Sequence, residues 1–378
     1  MLKKMLRYVG IGLLCLGLFL ACILALAWKD LGSDPSGEHL QRISQSPQYD
    51  PKSKRFVNPN QEEYDKMMKA FDFQALLHKR FFGKEVRTPS QTMPEIKPDL
   101  LQFLQSDSLT YHWLGHSTIL ARLDSQTLLL DPIFTNAAPV PLAIGRFQPP
   151  VLRPEELPKI DAIFISHDHY DHLDRPSILP FKDTQTHFFV PLGVSSHLIS
   201  WGIPTERITE LDWWESAVLG NLQVVCTPSQ HFSGRRGPPG NTTLWASWVV
   251  MGQSERFYFS GDSGYGPHFE RIGEKYGPFD VAFMESGQYN TIWPLAHMFP
   301  QETVQASLDI HTRKTQPIHW GMFVLSTHDW FAPPEKVIEH AQNTSLKILT
   351  PQIGASVTPS QPQRFDRWWE SLPSHTPP

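Results

Sequence analysis

The segment that constrains this chain most runs from Ile163 to Asp174, where Ile-Phe-Ile-Ser leads directly into His-Asp-His-Tyr-Asp-His-Leu-Asp. Four apolar-to-small residues read as a buried strand. It ends in three histidines and three aspartates within eight positions. Imidazole and carboxylate are ligands for a metal ion such as zinc. Alternate residues of an extended chain point the same way, so His167 and His169 can reach one ion. Asp171 and His172 follow at the turn and can reach a second.

One loop supplies too few ligands for two ions. Three other apolar runs each end in a candidate: Val224–Thr227 leads to His231, Phe257–Ser260 to Asp262, and Pro317-Ile318 to His319. Strand ends are where sheets with flanking helices place their sites. After Asp107 the chain is mostly short β runs separated by polar loops. The helical stretches Gln301–His311 and Glu335–Gln342 come late, behind prolines that suit a helix start. With 34 prolines in 378 residues, a long helical bundle is excluded. The pattern predicts an α/β protein with helices packed outside its sheets.

Tyr8 to Trp28 carries no charged residue and follows Lys3, Lys4 and Arg7. As a helix it would be about 31 Å long, one bilayer core. The expectation is a signal-anchor or transmembrane segment over residues 1–28, touching the membrane through residues 8–28. The rest would lie outside the cytoplasm, on the periplasmic side in a Gram-negative cell. Cleavage after Ala25-Leu26-Ala27 or lipidation at Cys22 would export it equally. Residues 29–60 read as a linker or extended arm, 61–358 as one folded domain and 359–378 as a polar tail. Glu62 to Phe82 has near-helical apolar spacing, suiting a packed helix or a membrane-contacting lid. Cys226, alone in the exported part, reads as a small buried hydrophobe. The net charge of −5 becomes −8 without the first 28 residues, which argues against a nucleic-acid partner.

The metal-ligand phrases, together with Arg55–Pro59, Trp113–Thr118 and Ile318–Gly321, resemble the metallo-β-lactamase superfamily. Within it they resemble the branch containing N-acyl-phosphatidylethanolamine-hydrolysing phospholipase D. The resemblance spans about Arg55 to Ala355. It implies a four-layer αββα sandwich and two Zn2+ ions, with Mn2+ or Fe2+ chemically compatible. It assigns His167, His169 and His231 to one ion, Asp171, His172 and His319 to the other, and Asp262 to both. Asp171 and His297 are the expected catalytic groups, His297 lying near a substrate phosphate. Tyr170, Gln288 and Tyr289 are further substrate-pocket candidates, although the family's Tyr-x-x-x-Trp phrase is only partly kept at Tyr289–Trp293. His116 and Asp131 are expected to support ligands rather than to be ligands. The activity implied is hydrolysis of a phosphodiester, of phospholipase D type, on membrane phospholipids. Lactones, other esters or β-lactams are the alternative substrates for the same site. A tethered, non-catalytic metal-binding module is the alternative of another class.

Overall fold

A computed structural model describes residues 2–139, 144–237 and 240–372. A short antiparallel ribbon comes first, β1 (Tyr49–Asp50) with β2 (Arg55–Phe56). Two seven-stranded sheets follow. The first contains β3 (Thr110–Trp113), β4 (Ile119–Leu123), β5 (Gln126–Leu130), β6 (Ala162–Phe164), β7 (His187–Pro191) and β8 (Ile208–Leu211). The second contains β9 (Ser216–Leu219), β10 (Leu222–Thr227), β11 (Ser247–Met251), β12 (Arg256–Phe259), β13 (Val281–Glu285), β14 (Lys314–Ile318) and β15 (Lys347–Ile348). The last strand, β16 (Ser356–Val357), returns to the first sheet beside β3. The spatial orders are β16-β3-β4-β5-β6-β7-β8 and β15-β14-β13-β12-β11-β10-β9. Each sheet has three antiparallel pairings and then three parallel ones.

Local chemistry sets the tight connections. Asp124 and Ser125 join β4 to β5 with φ of 46° and 66°. A two-residue hairpin of matching twist needs positive φ at both positions, and aspartate tolerates it better than most residues. Gly220, at φ 57°, opens the equally short turn between β9 and β10.

The sheets pack face to face, and the strand period of two sorts the side chains. Trp248 and Val250 of β11 and Val281 and Phe283 of β13 enter the core between the sheets. Val249, Ala282 and Met284 face the other way, onto Phe269, Ile272, Ala306 and Ile310. These belong to, or follow, the helices His268–Tyr276 and Pro300–Asp309. A third helix, Ala332–Ala341, packs through Val337 and Ala341 against Val304. The helices among residues 100–200 are short, Leu100–Leu104, Arg175–Ile178 and Ser195–Ser200, so the sandwich is clad unevenly. Cys226 is fully buried between the sheets.

Residues 29–60 carry the helix Gly37–Ile43 and the β1–β2 ribbon. Their first residues are fastened to the domain: Trp201 Nε1 donates to Lys29 O at 2.8 Å, Arg235 Nε to Asp30 O at 2.7 Å, and Ser33 N to His197 Nδ1 at 3.1 Å. Residues 61–82 form two helices, Gln61–Lys69 and Phe73–Phe82. The first buries Tyr64 and Met67 beside Ala296; the second buries nothing. Leu2–Ala27 is one helix, part of whose side chains lie outside the description. Among the described residues no helix is long and apolar enough to cross a membrane. The membrane-spanning reading of residues 8–28 is therefore unsupported by the structure. Residues 140–143, at the start of the proline-rich loop, and 373–378, at the end of the expected tail, lie outside the described residues.

Candidate metal centre

The functional side chains leave the sandwich at one edge, from strand ends of both sheets. β5 leads to Asp131 and β6 runs into Ser166-His167. β10 leads to His231, β12 to Asp262, β13 ends at Glu285 and β14 leads to His319. The β3–β4 turn adds His116. Four residues of this edge have left-handed backbones: His116 (φ 51°), Asp131 (38°), Gln288 (62°) and His319 (67°). Such conformations cost of order 1–3 kcal/mol each and cluster at functional sites.

Three sets of ligand atoms form among the described residues, each with its atoms within 4.8 Å of one another: His167, His169, His231 and Asp262; His116, Asp171, His172 and His319; and Asp262, His297 and His319. In the first, His169 Nδ1 lies 2.9 Å from His167 Nε2 and 3.2 Å from His231 Nε2. Asp262 Oδ2 is 3.8 Å from His167 Nε2 and 3.6 Å from His231 Nε2. In the second, Asp171 Oδ2 is 3.4 Å from His172 Nε2 and 3.2 Å from His319 Nε2. Asp262 also reaches this set, Oδ1 to His172 Nε2 and Oδ2 to His319 Nε2, both at 3.2 Å. All seven expected ligands thus converge, and Asp262 faces both groups.

These spacings fit metal ligation. Ligands about 2.05 Å from a tetrahedral ion stand about 3.3 Å apart, and the observed separations bracket that distance. His172 Nε2 and Asp262 Oδ1 face each other at 3.2 Å, both buried and neither in a well-directed hydrogen bond among the described residues, which suits atoms reserved for an ion. The all-nitrogen-and-oxygen donor set matches zinc and also tolerates iron or manganese.

The ligands are themselves held. His172 Nδ1 is 2.7 Å from Asp131 Oδ2, and Ser166 donates its amide to Asp131 Oδ1 at 2.7 Å and its hydroxyl to Oδ2 at 2.5 Å. His231 Nδ1 lies 2.9 Å from Ala296 O, and His116 Nε2 lies 2.9 Å from Asp171 Oδ2. Such contacts fix ring orientation and leave the opposite nitrogen for the ion. Burial works against the Asp262 charge, yet His172 and His319 outweigh it and hold its carboxyl well below the usual range.

Asp168, between two ligand histidines, points elsewhere. It accepts from Gly234 N at 3.0 Å and lies 3.4 Å from His197 Nε2. Buried Arg235 braces this rear side, donating to the carbonyls of Asp168 (3.1 Å) and Leu173 (2.5 Å). Tyr170 is tied there too. Its hydroxyl donates to Arg235 O at 2.9 Å, and the guanidinium stands 4.2 Å from its ring centre. Gln288 spends its amide on the backbone, accepting from Leu325 N and Ser326 N and donating towards His319 O and Phe323 O. Tyr289 stacks on His328 at 4.5 Å.

His297 stands against the centre, its Nδ1 4.0 Å from Asp262 Oδ2. That nitrogen is 2.6 Å from Oε1 of the fully buried Glu285, whose Oε2 accepts Met298 N at 3.0 Å. Burial, reinforced by Asp262, raises the Glu285 carboxyl well above its ordinary value, and burial pushes the His297 ring down to about 3. One proton lies in the 2.6 Å contact between Glu285 Oε1 and His297 Nδ1, and the contact fixes the orientation of the ring. Glu285 is the site residue sequence reasoning missed; its signal was a carboxylate ending an otherwise apolar strand.

Residues 126–320 match the family model described as the beta-lactamase superfamily domain. The chain belongs to that superfamily. This metallo-hydrolase is 42% identical over 287 residues to an uncharacterized Mycobacterium tuberculosis protein, covering 74% of this chain and 77% of that one. It is 36% identical over 247 residues to the N-acyl-phosphatidylethanolamine-hydrolyzing phospholipase D 1 of Caenorhabditis elegans, covering 61% of this chain and 69% of the relative. Among solved structures it resembles Igni18, a metallo hydrolase of Ignicoccus hospitalis. There the TM-score is 0.52 at 19% identity, over 66% of this chain and 97% of the other. The metallo-hydrolase sandwich thus extends beyond the matched region, since β3, β4, β15 and β16 lie outside residues 126–320.

Proposed function

We infer that this chain is a dinuclear metal-dependent phosphodiesterase of phospholipase D type, acting on membrane phospholipids such as N-acyl-phosphatidylethanolamine, with zinc as the metal. The observation that carries the reading is Asp262, whose carboxylate faces two separate imidazole sets at 3.2–3.8 Å. The similarity to the nematode phospholipase D supports the choice of bond.

Two bound ions would supply Lewis-acid stabilisation of charge and a nucleophile active near neutral pH. His167, His169 and His231 would hold one, Asp171, His172 and His319 the other, and Asp262 both. His297, with its hydrogen on Nε2, hydrogen-bonds a phosphoryl or leaving-group oxygen as charge develops there, an effect worth roughly 10²–10³-fold. Glu285, with the shared proton on Oε1, keeps that hydrogen where it is needed. Membrane contact finds support in the exposed Leu13, Leu14, Leu18 and Phe19 of the helix Leu2–Ala27, with the catalytic domain outside the cytoplasm. Cell fractionation with protease accessibility tests that placement; a protease-protected cytosolic domain refutes it.

The decisive assay is a parallel hydrolysis panel on metal-analysed protein: N-acyl-phosphatidylethanolamine, a plain phospholipid, a lactone and a β-lactam, with products identified by mass. Release of phosphatidic acid is expected. Turnover confined to the lactone or the β-lactam transfers the site to acyl chemistry. Bound metal without turnover on any of the four returns the chain to a binding role.

A further inference from the structure

Arg146 carries a cation that the metal centre does not use. Its Nε donates to Gln148 O at 3.2 Å and its Nη1 to Ile133 O at 2.8 Å, which fixes the plane of the guanidinium. Nη2 has no hydrogen-bond partner among the described residues. Burial pushes the group down to about 10, and no carboxylate among the described residues forms an ion pair with it. Asp174 is the carboxylate whose field acts on it, from beyond ion-pair distance, so the desolvated guanidinium is incompletely compensated and a further anion beside it is favoured.

The surroundings suit such an anion. Arg146 lines a cavity of about 310 Å³ together with Thr88, Gly145, Phe147 and Arg80. Arg80 comes from the helix Phe73–Phe82 and likewise has no ion pair among the described residues. The cavity adjoins the metal centre through one aromatic ring. The Arg146 guanidinium stands 5.5 Å from the centre of the Phe323 ring, which packs edge-on against His116 at 5.0 Å. His116 in turn holds Asp171. Arg146 Nη2 also points at the turn preceding His116, 4.0 Å from where a Cβ on Gly115 would sit.

The geometry points to an anion subsite formed by Arg146 and Arg80, which takes a phosphate-type oxyanion separate from the phosphodiester under attack at the metal centre. Its role rests on the phosphodiester reading; its existence does not. Arg146 and Arg80 together place two guanidinium charges on one cavity, a combination suited to a phosphate-type oxyanion. N-acyl-phosphatidylethanolamine carries a single phosphate, which the metal centre takes, so the subsite is filled by a separate anion.

The test is calorimetric titration of the metal-loaded full chain with inorganic phosphate and, separately, with monomeric lysophosphatidic acid. Parent protein, Arg80→Met and Arg146→Lys are compared, with metal content measured in each. Both variants are expected to keep their metal and to weaken one phosphate-binding event by about tenfold to a hundredfold, since each removes charge-assisted hydrogen bonds. Arg80→Met sits on a helix that buries nothing, so it keeps the test open should Arg146→Lys not fold. Tighter binding of lysophosphatidic acid than of phosphate assigns the subsite to a lipid head group, and equal binding assigns it to free phosphate. Identical phosphate affinity in the parent and in Arg80→Met overturns the subsite. A parent that binds phosphate through these arginines yet cleaves no phosphodiester retires the functional reading and leaves the subsite standing.

Discussion

Replacing Glu285 by glutamine and by alanine separates two accounts of the His297 pair. The proposed function puts the proton on Glu285 Oε1, 2.6 Å from His297 Nδ1, while Oε2 accepts Met298 N at 3.0 Å. A glutamine reproduces both roles, its amide nitrogen donating to Nδ1 and its oxygen accepting from Met298. Glu285→Gln should therefore keep kcat within about tenfold of the parent, allowing for one perturbed hydrogen bond at about 1.4 kcal/mol per decade. Glu285→Ala leaves Met298 N–H and His297 Nδ1 without partners, at about 1–3 kcal/mol each. It also frees the ring to turn. Its kcat should fall by about 10²-fold or more, the lower end of a positioned hydrogen-bond donor's worth, while KM moves little. The assay is steady-state hydrolysis of a soluble phosphodiester with metal content matched across variants. Were Glu285→Gln to lose as much as Glu285→Ala, the carboxylate would be working as an anion and the tautomer assigned to His297 would be wrong.

The remaining predictions concern the ligands and their supports. Asp262→Asn should lose both ions and His169→Ala chiefly one, read by metal analysis after dialysis; two ions retained in Asp262→Asn would refute the shared role. Asp131→Asn, at a left-handed position that asparagine tolerates, loses at least one of the three bonds that fix His172 and Ser166. Metal affinity by chelator competition should drop about 10–100-fold, and an unchanged affinity removes Asp131 from the support of the site. His328 accepts Gln288 N at its Nε2 (2.8 Å) and donates from Nδ1 to Asp329 O (2.8 Å), and burial pushes its ring down to about 4. The unfolded chain takes up that proton first as pH falls below about 6.5, so stability is lost between there and about 4, by at most about 3 kcal/mol. Denaturant titrations of parent and His328→Gln at pH 7 and 4.5 should show a smaller loss in the variant; equal losses contradict it.

What the sequence disclosed follows from how far each signal reaches. The metal loop was legible because a strand and its ligands are contiguous, so Ile163 to Asp174 needs no tertiary information. His231, Asp262 and His319 were legible because each ends an apolar run. The supports were harder to see. Glu285 ends an apolar run as well, but its partner His297 lies on another segment and no spacing rule links them. Arg146 looks like any surface arginine until burial removes its partners. The docking of residues 29–34 depends on Arg235, His197 and Trp201, about 165 or more positions away, so a polar stretch that reads as a tether is held by contacts only the fold creates. Gln288 reads as a pocket residue from its neighbours, but its backbone lies at φ 62° and its amide serves the loop.

The two sheets repeat one pattern, three antiparallel pairings followed by three parallel ones, and this explains why the centre sits where it does. In each sheet the ligands follow strands of the inner part, β6 in the first and β10, β12 and β14 in the second. Neither sheet alone supplies either four-residue set. The first set takes His167 and His169 from one sheet and His231 and Asp262 from the other, and the second joins Asp171 and His172 to His319. Metal binding therefore requires the two sheets to be packed face to face. By linkage, ions that bind only that packed state stabilise it, by about 4 kcal/mol at a thousand times the dissociation constant. Chelation should accordingly lower the melting temperature of the whole sandwich in a single step. A local loosening confined to the loop after β6, with the second sheet's helices melting unchanged, would show that the halves hold together without the centre they share.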